Sequence, residues 1–258
     1  MVVLALAALI AIATSASLAH GERRQSGNLI VALNGGIAPL ALPRQRPAPV
    51  SIHLSGRILT EDGSPLPQVK RVTIELAGPG QLYTRGLPLC PRARLRHANN
   101  RQAMDRCGPA LVGRGSLGAE VVIPNQAPFS IQTHLLAFNG RTAVGRRAIW
   151  VHAFTKNPPL SLVLPFVVHR GRGGYPNVLV AAVPDSVGPL PRLAQFHLNL
   201  FRRFSFRGRR HSYISATCPV PPTFTAGFLS FARITYSFAG DRSIPIESVR
   251  SCRARADG

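Results

Sequence analysis

Acidic residues are scarce in this sequence. It contains only ten Asp and Glu against 31 Lys and Arg, which gives a formal net charge of +21. Lysine is scarce as well, since only Lys70 and Lys156 occur and almost every basic residue is arginine. A GC-rich coding bias explains this preference without function, whereas bidentate binding of phosphate, sulfate or carboxylate explains it through chemistry. Coding bias leaves the scarcity of acids unexplained, and the excess charge favours polyanionic surroundings.

The motifs of common catalytic and metal sites are also missing. The sequence has no CxxC, HExxH, GxSxG or SxxK, which are signatures of zinc sites and serine enzymes. The glycine-rich residues 113–118 lack the lysine of a phosphate-binding loop. The carboxylates form no convincing acid–base pair, although distant residues can still meet in a fold. We therefore predict no catalytic residue, no cofactor and no metal, and keep as the alternative an envelope hydrolase assembled from distant residues.

The eight histidines show no metal-ligand spacing either. Four of them fall on the more polar face or at the end of their predicted strands, which is typical of solvated side chains: His53, His134, His169 and His197. Only His134 and His152 are expected to be neighbours, across the hairpin at residues 129–156. They are the one candidate metal or acid–base pair.

The N-terminal residues 1–19 have the features of a secretory signal peptide. An apolar stretch at residues 2–13 precedes Ser17-Leu18-Ala19, a small-x-small cleavage pattern. The apolar stretch is too short for a comfortable membrane span. No Lys or Arg precedes it, whereas Arg23 and Arg24 follow it, an arrangement that opposes translocation. A weak N-terminal anchor is therefore the alternative to a cleaved signal.

The four cysteines indicate disulfides and an extracytoplasmic location. Their even number and their lack of zinc spacing favour disulfides, which persist in secreted and envelope proteins. Of the three possible pairings we predict Cys90–Cys107 and Cys218–Cys252, because each closes a local loop. In the chain-entropy model each would contribute roughly 3–4 kcal/mol.

Short apolar segments with Pro- and Gly-rich turns predict a mainly β fold. In the first of them, Val50, Ile52 and Leu54 alternate with polar residues, as in a half-buried strand. Many such strands predict a single antiparallel, β-sandwich-like domain over residues 50–258. Residues 20–49 contain four prolines and a Gly-Gly pair, and we expect an extended leader there.

Residues 129–156 are predicted to be the central strand pair of the sheet. Both apolar runs, at 135–138 and 148–151, carry apolar side chains on both faces, so both faces should be covered. Asn139-Gly140 is a strong hairpin signal and predicts the turn. The only tryptophan, Trp150, lies in the second strand.

Residues 91–106 form the best helix candidate, and this segment carries the first basic cluster. Pro91 suits the first position of a helix, and no glycine interrupts the run. Cys90 and Cys107 would clamp this short helix at both ends. Its arginines include three that we assign to polyanion binding: Arg92, Arg94 and Arg96.

The second basic cluster surrounds the predicted turn at Gly208. Its arginines Arg203, Arg207, Arg209 and Arg210 are candidate polyanion-binding residues together with Phe201, which shares a polar strand face with Arg203 and Arg207. By strand parity, Phe204 and Phe206 belong with the core. The alternatives are that the arginines are merely solvated and that a neighbouring loop covers Phe201.

Several short phrases resemble a group of uncharacterised exported proteins of high-GC Gram-positive bacteria. They lie at residues 42–44, 47–50, 86–91, 110–113, 136–140, 212–216 and 218–219. The resemblance would cover nearly the whole mature chain, and it implies export but no activity, cofactor or functional residue. We therefore expect a secreted or cell-envelope protein that is a non-catalytic binding or structural protein. Its expected partners are anionic cell-wall polymer, acidic glycan or nucleic acid.

Overall fold

The computed structural model describes residues 21–123, 125–157, 159–183 and 191–255. The predicted signal peptide therefore lies outside the described residues. Within these ranges, no helix has the length and apolar character needed to cross a membrane.

The described residues form eighteen β-strands, one α-helix and two short 3-10 helices. The strands, in chain order, are β1 (Glu22–Ser26), β2 (Leu29–Ala38), β3 (Ala41–Pro43), β4 (Ala48–Pro49), β5 (Ser51–Thr60), β6 (Val69–Leu76), β7 (Gly80–Leu82), β8 (Leu111–Val121), β9 (Phe129–Arg141), β10 (Arg147–Thr155), β11 (Leu160–Arg170), β12 (Asn177–Ala182), β13 (Pro191–Leu200), β14 (Arg203–Phe206), β15 (Arg209–Ser212), β16 (Ile214–Ala216), β17 (Ala226–Phe238) and β18 (Ser243–Arg255). The helices are α1 (Asn100–Cys107) and the 3-10 turns Arg92–Arg94 and Gly108–Ala110.

Thirteen of these strands form one curled sheet, in the order β1-β2-β5-β13-β8-β9-β10-β11-β12-β6-β17-β18-β3. All neighbours are antiparallel except β18 and β3, so the predicted mainly β, antiparallel fold class is confirmed. The curl brings the two ends of the sheet together through side chains. The Arg250 guanidinium pairs with the Glu22 carboxylate, and the Val249 amide donates to it at 3.0 Å.

The inner side of the curled sheet holds most of the core. On β5, Ile52 and Leu54 point inward, whereas His53 is exposed, as the alternating pattern predicts. Leu135 and Val151, from β9 and β10, belong to the same inner core. Burial of this apolar surface is the main stabilising term, worth roughly 25 cal/mol per Å².

The central position of β9 and β10 is confirmed, and so is their burial on both faces. Leu135 and Ala137 face the inner core, whereas Leu136 and Phe138 face a second core under the 90–110 segment. The predicted turn position is wrong. Asn139 and Gly140 are buried inside β9, opposite Ile149 and Ala148, and the chain reverses at residues 142–146 instead.

Trp150 and the chain at residues 87–90 explain why Asn-Gly is not a turn here. A Cβ atom on Gly140 would lie 2.0 Å from the Trp150 indole nitrogen, so the ring occupies the space that a side chain would need. The Asn139 amide donates to the Pro88 carbonyl at 2.9 Å, which satisfies it inside the protein.

The predicted helix over 91–106 is only half right. The chain forms a 3-10 turn at Arg92–Arg94, passes through His97 in a left-handed conformation with φ of 57°, and begins α1 only at Asn100. Asn99 ends the irregular stretch because it caps α1. Its side chain accepts from the Gln102 amide at 2.9 Å, and the Gln102 side chain accepts from the Asn99 amide at 3.0 Å.

Both predicted disulfides are confirmed. Cys90–Cys107 spans 5.3 Å between Cα atoms and closes the 90–110 segment over β9, β10 and β11. Cys218–Cys252 spans 5.8 Å and ties the chain after β16 to β18. Disulfides are compatible with an oxidising compartment outside the cytoplasm.

The predicted leader contains regular strands. β1 and β2 lie at one end of the large sheet, and β2 pairs with β5 from Leu29 to Ala38. Leu29, Val31 and Leu33 are buried in the core between β2, β5, β17 and β18, which gives this part of the chain a reason to join the sheet. The sheet thus continues across the boundary expected at residue 50.

Candidate anion-binding surface

The second basic cluster lies on a small hairpin outside the large sheet. Strands β14 and β15 pair only with each other, and they join at Arg207-Gly208. Both turn residues have positive φ, 51° and 70°, as in the two-residue turns that match the twist of a hairpin. We call Phe201, Arg203, Arg207, Arg209 and Arg210 the hairpin surface. The structure brings these five predicted residues onto one short segment.

Strand alternation gives the hairpin two chemically different faces. Phe204 and His211 are direct cross-strand partners, and Phe206 lies on the same face. Arg203 and Arg210 lie on the opposite face and are exposed, whereas Arg209 is the cross-strand partner of Phe206 and lies at the edge of the aromatic face. All four arginines of the hairpin surface are exposed.

Aromatic rings support the hairpin from below. Tyr83 stacks on His211 with 4.4 Å between ring centroids, and Phe204 lies 6.1 Å from Tyr83. Phe206 packs directly on Gly86, where no side chain would fit. The Arg207 guanidinium lies 5.4 Å from the centre of the Phe206 ring, within range of a cation–π contact.

The parity prediction for the two phenylalanines is confirmed for Phe204, which packs against the main core, whereas Phe206 is half-buried against Gly86. Sequence reasoning missed Tyr83 and His211 as parts of this surface. Tyr83 lies more than a hundred residues away in sequence, in a loop without a motif. His211 could have been found, because it follows Arg209 and Arg210 directly after the Gly208 turn.

Phe201 is an exposed aromatic ring at the base of the hairpin, as predicted. Its side chain is 46% exposed, and its amide donates to the Val112 carbonyl at 3.1 Å. Next to it, the Arg202 guanidinium donates to the Pro109 carbonyl at 3.4 Å. These contacts hold the base of the hairpin against β8 and the end of the 90–110 segment.

The three arginines predicted in the 90–110 segment differ in their surroundings. Arg92 is half-buried and donates to the Val163 carbonyl at 3.4 Å. Arg94 donates to the Arg106 carbonyl, and Arg106 donates back to the Arg94 carbonyl, so this pair fastens the segment to itself. Arg96 is exposed. Two of the three therefore have structural hydrogen bonds, and among the described residues none of the three contacts the hairpin surface.

The hairpin surface lies in a region without acidic residues. The sequence has no Asp or Glu between Asp185 and Asp241. Where the structure describes the chain, the ion pairs lie elsewhere, at Arg233 and Arg250, and none involves an arginine of the hairpin surface. Within the described ranges, these charges therefore have no ion pair with a carboxylate.

A carboxylate cluster that the sequence did not reveal lies on the outer face of β6, β17 and β18. Arg233 stands opposite Glu75 on one side and Glu247 on the other, with charged atoms 3.7 and 3.8 Å apart. The Glu247 carboxylate also accepts from Ser230 at 2.5 Å and from Tyr175 at 2.9 Å. These donors hold the pKa of Glu247 below its usual value, so its carboxylate is a weak base.

His134 and His152 do not form the expected pair. His152 stands opposite Leu136, so that His134 is only its diagonal neighbour, about 7–8 Å away in an antiparallel pair. His134 is exposed, whereas His152 is completely buried under the 90–110 segment and bonds the Ala98 carbonyl at 2.9 Å. Among the described residues, no three His, Cys, Asp or Glu side chains are grouped to hold a metal ion.

Comparison of the chain with protein-family models, with curated proteins and with solved structures gives no significant match in any of the three.

Proposed function

We propose that the protein acts outside the cytoplasm as a non-catalytic binding or structural protein and that the hairpin surface binds anionic polymers. The observation that carries the proposal is the group of four exposed arginines on one hairpin, without a carboxylate partner in the described structure. Such arginines can form bidentate, charge-assisted hydrogen bonds with carboxylate, sulfate or phosphate. The two disulfides and the resemblance to exported proteins support the location.

The close spacing of the arginines matters for this function. At ~0.15 M salt the Debye length is about 8 Å, so that dispersed surface charges hardly act together. The four arginines fall within eight residues of one hairpin, whose two strands are about 4.8 Å apart, so their charges are closer together than those of dispersed arginines. Phe201 adds an exposed ring, on which a sugar or a base can stack.

For the alternative function, an envelope hydrolase, the most suitable candidate catalytic residues are those of the cluster around Glu247. Ser230, Tyr175 and Glu247 come from distant parts of the chain and share hydrogen bonds. The low pKa of Glu247 disfavours it as a general base near neutral pH. A hydrolytic activity that Glu247→Gln abolishes in a folded protein would replace our proposal with this alternative.

The test of the proposal compares clustered with dispersed arginines. The clustered variant replaces Arg203, Arg207, Arg209 and Arg210 by Gln. A matched control replaces four exposed arginines far from the hairpin in sequence, namely Arg71, Arg146, Arg172 and Arg255. Binding to a polyanion such as heparin is measured by titration at several salt concentrations.

The clustered variant should lose most of the salt dependence. Loss of four contacts lowers the slope of log affinity against log salt by about 3, because each contact releases roughly 0.7–0.9 of a counterion. The control should change the slope much less. Phe201→Ala should weaken binding about fivefold or more, because the loss of one stacking contact costs at least about 1 kcal/mol. It should cost little stability, since the ring is exposed. Equal effects of the clustered and dispersed sets would mean that only net charge counts, and the proposal would fail.

A further inference from the structure

The outer face of five adjacent strands, β2, β5, β13, β8 and β9, carries an ordered polar array. Because every pair in this part of the sheet is antiparallel with a defined register, side chains line up in rows across the strands. The central row consists of Asn34, Ser55, His197, Ser116 and His134, each directly opposite the next. With a strand spacing of about 4.8 Å, the row is on the order of 20 Å long.

The rows on either side are also polar. One contains Arg57, Gln195 and Gln132, and the other contains His53, Asn199 and Arg114, followed by Leu136. Arg57 and Arg114 are both exposed. The three rows contain no Asp or Glu.

The 90–110 segment forms a wall at the β9 end of this polar array. It packs on the outer face of β9, β10 and β11 and on Leu111 at the start of β8, whereas in the described part of the chain no core cluster covers the outer faces of β5, β13 and the rest of β8. A cleft of about 830 Å³ lies between the polar rows, which form its floor, and the 90–110 segment, which forms its wall. The floor contributes Ser116, Gln132 and His134, and the wall contributes Asn99 and Arg101.

The cleft is lined by the same kinds of side chain as the rows, namely amides and cations. Amide side chains come from both sides, Asn99 and Asn100 from the wall and Asn157 from the end of β10. Two cations, Arg101 and Lys156, also line the cleft, and no carboxylate does. Amides donate and accept hydrogen bonds at once, as sugar hydroxyls require. Arginine and lysine supply charge for a carboxylate or sulfate group.

We propose that the rows and the cleft together bind a chain of an acidic glycan, which crosses the strands and ends in the cleft. Dense hydroxyls match the amide, serine and histidine side chains, and carboxylate or sulfate groups match Arg57, Arg114 and the cleft cations. A single-stranded nucleic acid fits less well, because its bases stack best on exposed Phe, Tyr or Trp rings. The three rows contain none of these rings, and the only one that lines the cleft is the half-buried Phe154. The site shares no residue with the hairpin surface. The glycan proposal shares one assumption with the proposed function, namely that the ligand is negatively charged.

Polygalacturonate and its fully methyl-esterified form are suitable probes, because they share a sugar backbone and differ in charge. The variant is Arg57→Gln with Arg114→Gln, and the matched control is Arg71→Gln with Arg172→Gln, which removes the same charge from exposed positions elsewhere. Affinity for both polymers and for an oligothymidylate is measured by calorimetry at fixed salt, with thermal unfolding as a check of the fold.

Polygalacturonate should bind more tightly than its ester, and the double variant should lose about tenfold or more of that affinity, as expected for charge-assisted hydrogen bonds. The control should stay within about twofold. Equal losses in variant and control would overturn the proposal, as would an oligothymidylate affinity that falls as much as the glycan affinity in the Arg57/Arg114 variant. The hairpin variant, in which all four arginines of the hairpin surface are replaced by Gln, separates the two proposals. If it binds every polyanion like the wild type while the Arg57/Arg114 variant loses glycan binding, the hairpin proposal fails and the glycan site stands.

Discussion

The outer face of the large sheet is divided into a covered half and an open half, and strand β9 crosses both. On the same face of this strand, Gln132 and His134 are exposed, whereas Leu136 and Phe138 are buried under the disulfide-closed 90–110 segment. The β8–β9 ladder keeps its register from Val121 to Gly113 and shifts only next to Leu111, so most of the difference lies in the side chains. The covered half buries apolar side chains that stabilise the fold, and the open half exposes polar groups.

The same contrast holds for arginine. Arg233 lies between the carboxylates of Glu75 and Glu247, and its guanidinium lies 4.7 Å from the centre of the Tyr175 ring. Its charge is therefore paired within the protein. Arg207 also lies over an aromatic ring, but no carboxylate pairs with it in the described structure. Rings support arginines in both places, and the presence or absence of a carboxylate separates a structural arginine from a candidate binding residue.

Replacing one residue in each half of β9 should give the largest difference. Phe138→Ala removes a completely buried ring from the covered half and should lower the free energy of unfolding by about 3–5 kcal/mol. His134→Ala, four residues earlier on the same face, should change it by no more than about 0.5 kcal/mol, because the side chain is exposed. Urea unfolding followed by circular dichroism measures both. Similar losses in the two variants would mean that the halves do not differ as described.

The Cys90–Cys107 bond should matter next. Cys90→Ser with Cys107→Ser opens the loop that closes the covered half, and it should cost about 3 kcal/mol in the chain-entropy model. Trp150 lies under this segment and donates to the Cys90 carbonyl at 2.8 Å, so its fluorescence should shift towards that of a solvated indole. An unchanged tryptophan spectrum together with unchanged stability would show that packing alone holds the segment.

Local patterns in the sequence predicted much of the fold. Alternation identified strands such as β5, and apolar residues on both faces placed β9 and β10 at the centre. The even set of cysteines and their local spacing gave both disulfides. The turn at Asn139-Gly140 failed because burial decides between strand and turn, and the Trp150 ring that needs the space on Gly140 comes from the next strand. The late start of α1 was visible in principle, since Asn99 and Gln102 have the spacing of a capping box.

The candidate sites were less predictable, for a physical reason. The arginines of the hairpin surface are close in sequence, so their clustering could be seen directly. Tyr83 reaches the same surface only because its loop packs against β14 and β15. Ser230 and Glu247 meet because β17 and β18 pair with a bulge next to Ser230. The polar rows need the order β2-β5-β13-β8-β9, in which β13 lies between β5 and β8, and no local pattern contains that information.

The smallest of these effects concerns His152 and the pH dependence of stability. Its Nε2 lies 2.9 Å from the Ala98 carbonyl, which can only accept, so Nε2 carries the proton and Nδ1 does not. Nδ1 is buried and has no hydrogen-bond partner among the described residues. Burial therefore lowers the pKa of His152 below its ordinary value of 6.5. As the pH falls below about 6.5, the unfolded chain takes up this proton before the folded protein does, so stability decreases.

His152→Gln should remove this part of the decrease between pH 7 and pH 5, whereas His134→Gln, in the open half, should leave it unchanged. Chemical unfolding at a series of pH values measures the difference. If the wild type and His152→Gln have parallel profiles, or if His134→Gln flattens the curve, then the buried histidine is not what makes the covered half sensitive to acid.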